Sequence, residues 1–95
     1  MTIEPGAGLA GKVAVVTGGG GILCSTMAKA LARCGVRVAV LDLNLPAAEK
    51  VAAEIQAEGG QALALGADVL ERASLEAACR QVLDAFGRVD ILING

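Results

Sequence analysis

The stretch VAVVTGGGGILCSTMAKALA, Val13 to Ala32, places four consecutive glycines between a β-branched apolar run and an Ala-rich run. A strand that passes through glycine into a helix makes an anion site. The first N–H groups of the helix are unpaired, its dipole is positive there, and glycine lets a pyrophosphate come close. Gly18, Gly20 and Gly21, with Ile22 and Leu23 at the start of the helix, are therefore the candidate cofactor contacts. The strict spelling G-x-G-x-x-G fails, because counting from Gly18 its last position is Leu23, and no Gly-Lys-Ser/Thr of a P-loop follows. A purely structural tight turn is the other reading of the same residues. Asp42 is the second candidate. It directly follows the next apolar run, 24 residues after Gly18. A carboxylate there can accept hydrogen bonds from ribose hydroxyls and would repel a 2′-phosphate. Its neighbours Leu41, Leu43 and Asn44 include no arginine that could hold such a phosphate, so NAD is expected rather than NADP, with Asp42 and Leu43 on the ribose side. A solvated acid at a strand end is the plain alternative.

The elements that must position these residues follow from the period of the apolar pattern. Lys12 to Thr17 and Val36 to Leu41 are β-branched runs that suit strands covered on both faces. Ile22 to about Cys34 is helical, with Gly35 placed for a left-handed cap. Asn44 is the expected N-cap of a second helix, with Pro46 in its first turn and Gly59-Gly60 past its end. Val51, Ala52 and Ile55 share one face of it; Glu49, Lys50, Glu54 and Glu58 form the solvated side. Gln61 to Leu65 predicts a third strand. Glu71 to Phe86 predicts a third helix with Leu75, Cys79, Val82, Leu83 and Phe86 inward, and Val89 to Ile93 predicts a fourth strand. The order βαβαβαβ implies an α/β fold, a Rossmann-type doubly wound parallel sheet of which this is the first half, with strand order 3-2-1-4.

Composition removes several classes of function. The 95 residues are 55% hydrophobic with a net charge of −2, and Phe86 is the single aromatic. Nucleic-acid binding needs cationic clusters or stacking rings, so none is expected. No apolar run reaches the ~18 residues of a membrane span. The opening MTIEPGAGLAGK lacks the basic start and apolar core of a signal peptide, so the cytoplasm is expected. Cys24, Cys34 and Cys79 are widely spaced, and the chain has no histidine to complete a zinc site. They read as reduced packing thiols, with no metal. A thiol near a helix start can also be reactive, which is the sharper reading of Cys24.

These residues resemble the start of a short-chain dehydrogenase/reductase. That family opens with a strand and T-G-x-x-x-G-x-G, which Thr17-Gly18 and the helix carrying Met27, Ala28, Leu31 and Ala32 match without a gap. Asp68-Val69 resemble its Asp-Val pair, whose carboxylate meets the adenine amino group. DILING, Asp90 to Gly95, resembles its D-x-L-V-N-N-A-G, with Asn94 at the first asparagine. In this register Ile22 and Cys24 replace the second and third motif glycines. A β-branched residue strongly disfavours positive φ, so the turn is expected one residue early, with Ile22 helical. TGGGGILCSTMAKALA further resembles a subgroup described as D-mannonate (fructuronate) oxidoreductases, which interconvert keto and hydroxy sugar acids; no substrate-binding residue of this chain carries that likeness.

The resemblance implies an NAD-dependent oxidoreductase acting on an alcohol or ketone. Residues 1–95 would be its incomplete NAD-binding domain, the amino-terminal part of a longer single-domain enzyme. A small-molecule substrate and a homo-oligomer are expected of the full-length protein. The family's catalytic serine and Tyr-x-x-x-Lys lie beyond the asparagine turn, and this chain has no tyrosine, so no catalytic residue is expected within it. The alternatives are a non-catalytic nucleotide-binding remnant or sensor, and a methyltransferase, against which the Thr17-Gly18 opening and Asn94 ending weigh. An apolar fourth strand at the edge further predicts that the 95 residues alone are marginally stable or associate.

Overall fold

β1 (Val13–Thr17) is buried at all five positions, as a strand must be when sheet neighbours flank it and helices cover both its faces. In the computed structural model, which describes residues 8–95, the chain continues through α1 (Ile22–Arg33), β2 (Arg37–Asp42), α2 (Leu45–Ala57), β3 (Ala62–Gly66), α3 (Arg72–Phe86) and β4 (Ile91–Ile93). The four strands form one parallel sheet in the order β3-β2-β1-β4. This is the Rossmann-type α/β architecture expected of the sequence. Residues 1–7, part of the opening read as unlike a signal peptide, lie outside the described residues.

The order explains the layers. β1 to β2 and β2 to β3 step outward in one direction, whereas β3 to β4 steps back past β1. With every crossover of the same hand, the third helix must land on the opposite face. α1 and α2 accordingly pack on one face, through Cys24, Ala28, Leu31, Ala48, Val51 and Ile55 against Val38 and Val40. α3 packs on the other, through Ala78 and Val82 against Val13, Val15, Ala39 and Leu41. Asn44 caps α2 by accepting from the Ala47 N–H at 3.3 Å, and Pro46 sits in its first turn. Gly35 ends α1 at φ +85°.

Four strand boundaries and two faces differ from expectation: β1 begins at Val13 rather than Lys12. β2 is displaced by one residue, so that Asp42 is its last residue, paired with Gly66. β3 is displaced likewise. β4 begins at Ile91 rather than Val89 because a side chain takes over the ladder there. The Asp90 carboxylate accepts the Val13 N–H at 2.9 Å, and the Asp90 N–H donates to the Val13 carbonyl at 2.9 Å. On α3, Leu83 is 50% exposed, not inward. It stands a step of about 100° beyond Val82, turned past the strip that meets the sheet. Leu75, Cys79 and Phe86 are half-buried. On α2, Glu54 and Glu58 are not merely solvated: they pair with Lys29 and Arg33 of α1.

Among the described residues β4 is an edge strand, with Leu92 61% exposed. Expressed as these 95 residues, the chain is predicted to self-associate through that edge. Light scattering after gel filtration checks this, and a monodisperse monomer with a cooperative melt would refute it. Acid should also weaken the β1–β4 contact. The Arg88 guanidinium, bonded to Asp90 at 2.7 Å, and the Val13 N–H hold the Asp90 carboxyl below its ordinary value. A depressed folded-state pKa gives stability that is present at neutral pH and lost as pH falls through the carboxylate range. Asp90→Asn should therefore lower the melting temperature at pH 7 and flatten its fall below about pH 4.

Candidate functional site

In a parallel sheet all strands end on one edge, and ligands bind outside those ends where the strand order reverses. Here the reversal lies between β1 and β4. The ten candidate residues gather at this edge: Gly18, Gly20, Gly21, Ile22 and Leu23 after β1, Asp42 and Leu43 at the end of β2, Asp68 and Val69 after β3, and Asn94 after β4.

The glycine loop makes its left-handed turn at Gly18, φ +63°, and no described residue other than glycine has a positive φ. The left-handed turn thus falls four residues before Ile22 rather than the one expected, and Gly21 is extended at φ −75°; Ile22 enters α1 as a helical residue, as expected. Three of the four glycine N–H groups are used within the protein. Gly19 donates to the Leu41 carbonyl at 3.1 Å and Gly21 to the Gly18 carbonyl at 3.0 Å, while Gly20 donates to Asp42 Oδ2 at 2.9 Å. Side chains would not fit at two of these positions. A Cβ on Gly19 would stand 2.5 Å from Val40 Cγ1, and one on Gly20 2.6 Å from Ala47 Cβ and 2.8 Å from Asp42 Oδ2. The donors that remain for an anion include the N–H groups of Ile22 and Leu23, in the first turn of α1. Gly21 supplies no side-chain cap to that helix, and no acidic residue stands in its first turn. The nearest carboxylate to its positive end is Asp42, bonded to Gly20.

Asp42 is held from two sides. Its Oδ2 accepts from Gly20 and its Oδ1 from the Asn44 N–H at 2.9 Å. Each carboxylate oxygen has a second acceptor site, so the group can still receive ribose hydroxyls. Leu43 beside it is 76% exposed and Val69 46%, two apolar surfaces in open positions. Asp68 is fastened to its own turn: its N–H donates to Ser74 Oγ at 2.9 Å and its Oδ1 accepts from Leu70 at 3.0 Å. Asn94 lies against β1, with its Oδ1 3.2 Å from Thr17 Oγ1.

Two residues at this edge were not among the ten candidates. Thr17 is the one buried polar residue of the described core. Its hydroxyl, 3.2 Å from the Ile93 carbonyl as well as from Asn94 Oδ1, ties β1 to β4. Gly95 donates to the Thr17 carbonyl at 3.2 Å and to its hydroxyl at 3.3 Å. The signal for it was available: in D-x-L-V-N-N-A-G, Gly95 falls on the second asparagine. Cavity size would have misled. A hollow of about 530 Å³ between Leu31 of α1 and Ile91 of β4 contains none of the ten candidates. A smaller one, about 290 Å³, reaches Thr17, Val69 and Asn94.

The family described as short chain dehydrogenase matches residues 12–95. The chain belongs to that family. It is similar to an uncharacterized oxidoreductase, UxuB, of Bacillus subtilis, at 55% identity over 92% of this chain and 31% of that protein. It is also similar to D-threitol dehydrogenase of Mycolicibacterium smegmatis, at 42% over 90% of this chain and 33% of the other. Among solved structures, a Haemophilus influenzae protein provisionally named a D-mannonate oxidoreductase, with bound NAD, superposes with a TM-score of 0.86. It is 45% identical, over 88% of this chain and 30% of its own. The chain thus spans about a third of the length of the curated relatives it matches.

The loop's geometry yields a direct test. Gly20→Ala sets a methyl group against both Ala47 and Asp42, and overpacking of that kind costs about 1–3 kcal/mol. Denaturant unfolding should show that loss. Gly21→Ala, whose added carbon would meet only the Gly18 carbonyl at 3.3 Å, should cost less.

Proposed function

We propose that residues 1–95 are the incomplete cofactor-binding domain of a longer, single-domain NAD-dependent oxidoreductase, which moves a hydride between NAD(H) and an alcohol or ketone. The observation that carries this is the pairing of an uncapped α1 start with the doubly held Asp42 beside it. The residues suit a dinucleotide: Ile22 and Leu23 N–H groups for the pyrophosphate, Asp42 for the adenosine ribose, Leu43 and Val69 for the faces of the adenine. Asp68 keeps its second carboxylate oxygen for the adenine amino group, in the role the family resemblance implies. Gly18, Gly20 and Gly21 serve by shaping the loop and, at Gly20, by aiming Asp42. Asn94 belongs to the junction at which the nicotinamide half would leave this part of the protein.

NAD is proposed over NADP because a 2′-phosphate would meet a carboxylate that two N–H groups hold in place, with no cation among its immediate neighbours. The bound NAD of the 45% identical relative supports this. Bound NAD supplies the hydride acceptor; the groups that transfer the substrate's proton are proposed to lie in polypeptide outside these residues, since no tyrosine occurs here. The substrate is proposed to be a small hydroxy or keto compound, with a sugar acid of the mannonate type as the class that the relative's name favours. Cytoplasmic location and homo-oligomeric assembly complete the proposal. Among the described residues no helix is long and apolar enough to cross a membrane.

Titration calorimetry of the full-length protein should show NAD binding and weaker NADP binding. Asp42→Ala should cut the preference for NAD about tenfold, equivalent to about 1.4 kcal/mol. Unchanged affinities for both nucleotides would remove Asp42 from the ribose. The reading frame after Gly95 tests the rest: a serine and Tyr-x-x-x-Lys are expected, and an immediate stop would leave no enzyme of this kind.

A further inference from the structure

A glycine at the third helical position of such a loop ordinarily lets the helix pack closely on the strands. Here that position is Cys24, which is buried, with its thiol against Gly95 just after β4. The room is left from the other side. A Cβ built on Gly95 would fall on the Cys24 thiol and stand 2.8 Å from the Thr17 carbonyl oxygen, a separation that real Cβ atoms essentially never show. The same glycine lies across from the loop's left-handed residue: a Cβ on Gly18 would be 3.6 Å from the Gly95 carbonyl carbon. Its N–H is shared between the two oxygens of Thr17. Gly95 is thus the point at which α1, the end of β1 and the glycine turn meet, and its lack of a side chain is what lets them meet.

We propose that Gly95 is a cofactor-positioning residue: it takes over the spacing task of the missing helix glycine, and Cys24 and Gly95 act as one steric pair. Any side chain at 95 is trapped between the Cys24 thiol and the Thr17 carbonyl. The end of β4 can then only move away from Thr17, breaking the two hydrogen bonds that Gly95 donates and opening the turn at Gly18. The N–H groups of Ile22 and Leu23 would be displaced with it. When the thiol is removed instead, the added carbon can shift off the carbonyl into the vacated volume. The pairing concerns the dinucleotide loop and so rests on the cofactor reading above.

The test is a double-mutant cycle in the full-length protein, with Gly95→Ala, Cys24→Ala and the double variant measured by melting temperature and by calorimetric titration with NAD. Gly95→Ala should weaken NAD binding by about tenfold or more, the scale of effect that sub-ångström displacement of binding groups produces. Cys24→Ala should lower the melting temperature and change NAD affinity by no more than about threefold, and the double variant should return to within about threefold of wild type. Should Gly95→Ala fail to fold alone, recovery of folding and NAD binding in the double variant is the same result. Additive effects in a wild type that binds NAD would overturn the pairing while leaving the cofactor reading intact. Coupling in melting temperature, with no NAD bound by wild type, would overturn both the positioning role and that reading.

Discussion

The two hydrogen-bond ladders on either side of β1 are the constraint on which the rest of this chain depends. Val13 to Thr17 pairs with β2 along one edge and with β4 along the other, and its side chains reach both helical layers. A strand in that place cannot carry polar side chains, because every backbone group is already paired and no water reaches either face. Hence the run VAVVT. Thr17 is the exception that locates the end of the ladder. Its hydroxyl turns to β4 at the level where the sheet gives way to loops, so the last residue of the central strand is also the first polar fixture of the candidate site.

From that fixture the site is assembled by short polar fastenings rather than by an enclosed cavity. Gly19 is tied to β2 through the Leu41 carbonyl, Gly20 to β2 through Asp42, and Gly95 to β1 through Thr17. Each fastening joins the end of one strand to the loop after another. The loop can therefore spend most of its own N–H groups internally and still present donors, because those it presents come from the first turn of α1. Asp42 has two tasks in this arrangement. It satisfies loop N–H groups, and its charge sits where a nucleotide's ribose would be read. Removing it alters the loop as well as the charge, so its effects on binding and on stability are coupled by construction.

The sequence was informative where one physical requirement dominated. Continuous β-branched runs between glycines specify buried parallel strands, and alternation with helices then fixes the layer order, so β1, β2 and the three helices are legible to within a residue or two. Ile22 was legible as a helical residue for a steric reason, since it disfavours a positive φ, but the place of the left-handed turn, Gly18 and not the glycine beside Ile22, was not. What stayed hidden depended on contacts distant in sequence. The late start of β4 comes from the Asp90 carboxylate substituting for a ladder group on Val13, 77 positions away. Leu83 read as inward because apolar spacing on a helix does not say how wide the covered strip is. Glu54 and Glu58 read as solvated because their partners, Lys29 and Arg33, lie on a different helix. Gly95 read only as the tail of a motif, since its importance lies in what it would strike.

The two departures from the family's glycine spelling are therefore of different kinds. Replacing a glycine by Ile22 is a backbone problem, and a backbone problem is solved locally: the left-handed turn stands at Gly18, and the isoleucine is left helical and 90% exposed. Replacing one by Cys24 is a packing problem, and backbone adjustment in the loop cannot solve it, because the crowding is between a helix and a strand that are each fixed by their own hydrogen bonds. Space must be found in the partner. A glycine at the end of β4 provides it without moving either element, which preserves the ladder on β1 and with it the register of every other fastening. A change in the loop's composition thus reaches the far end of the chain through packing density alone, and the two positions are constrained together although neither carries a charge and no hydrogen bond joins them.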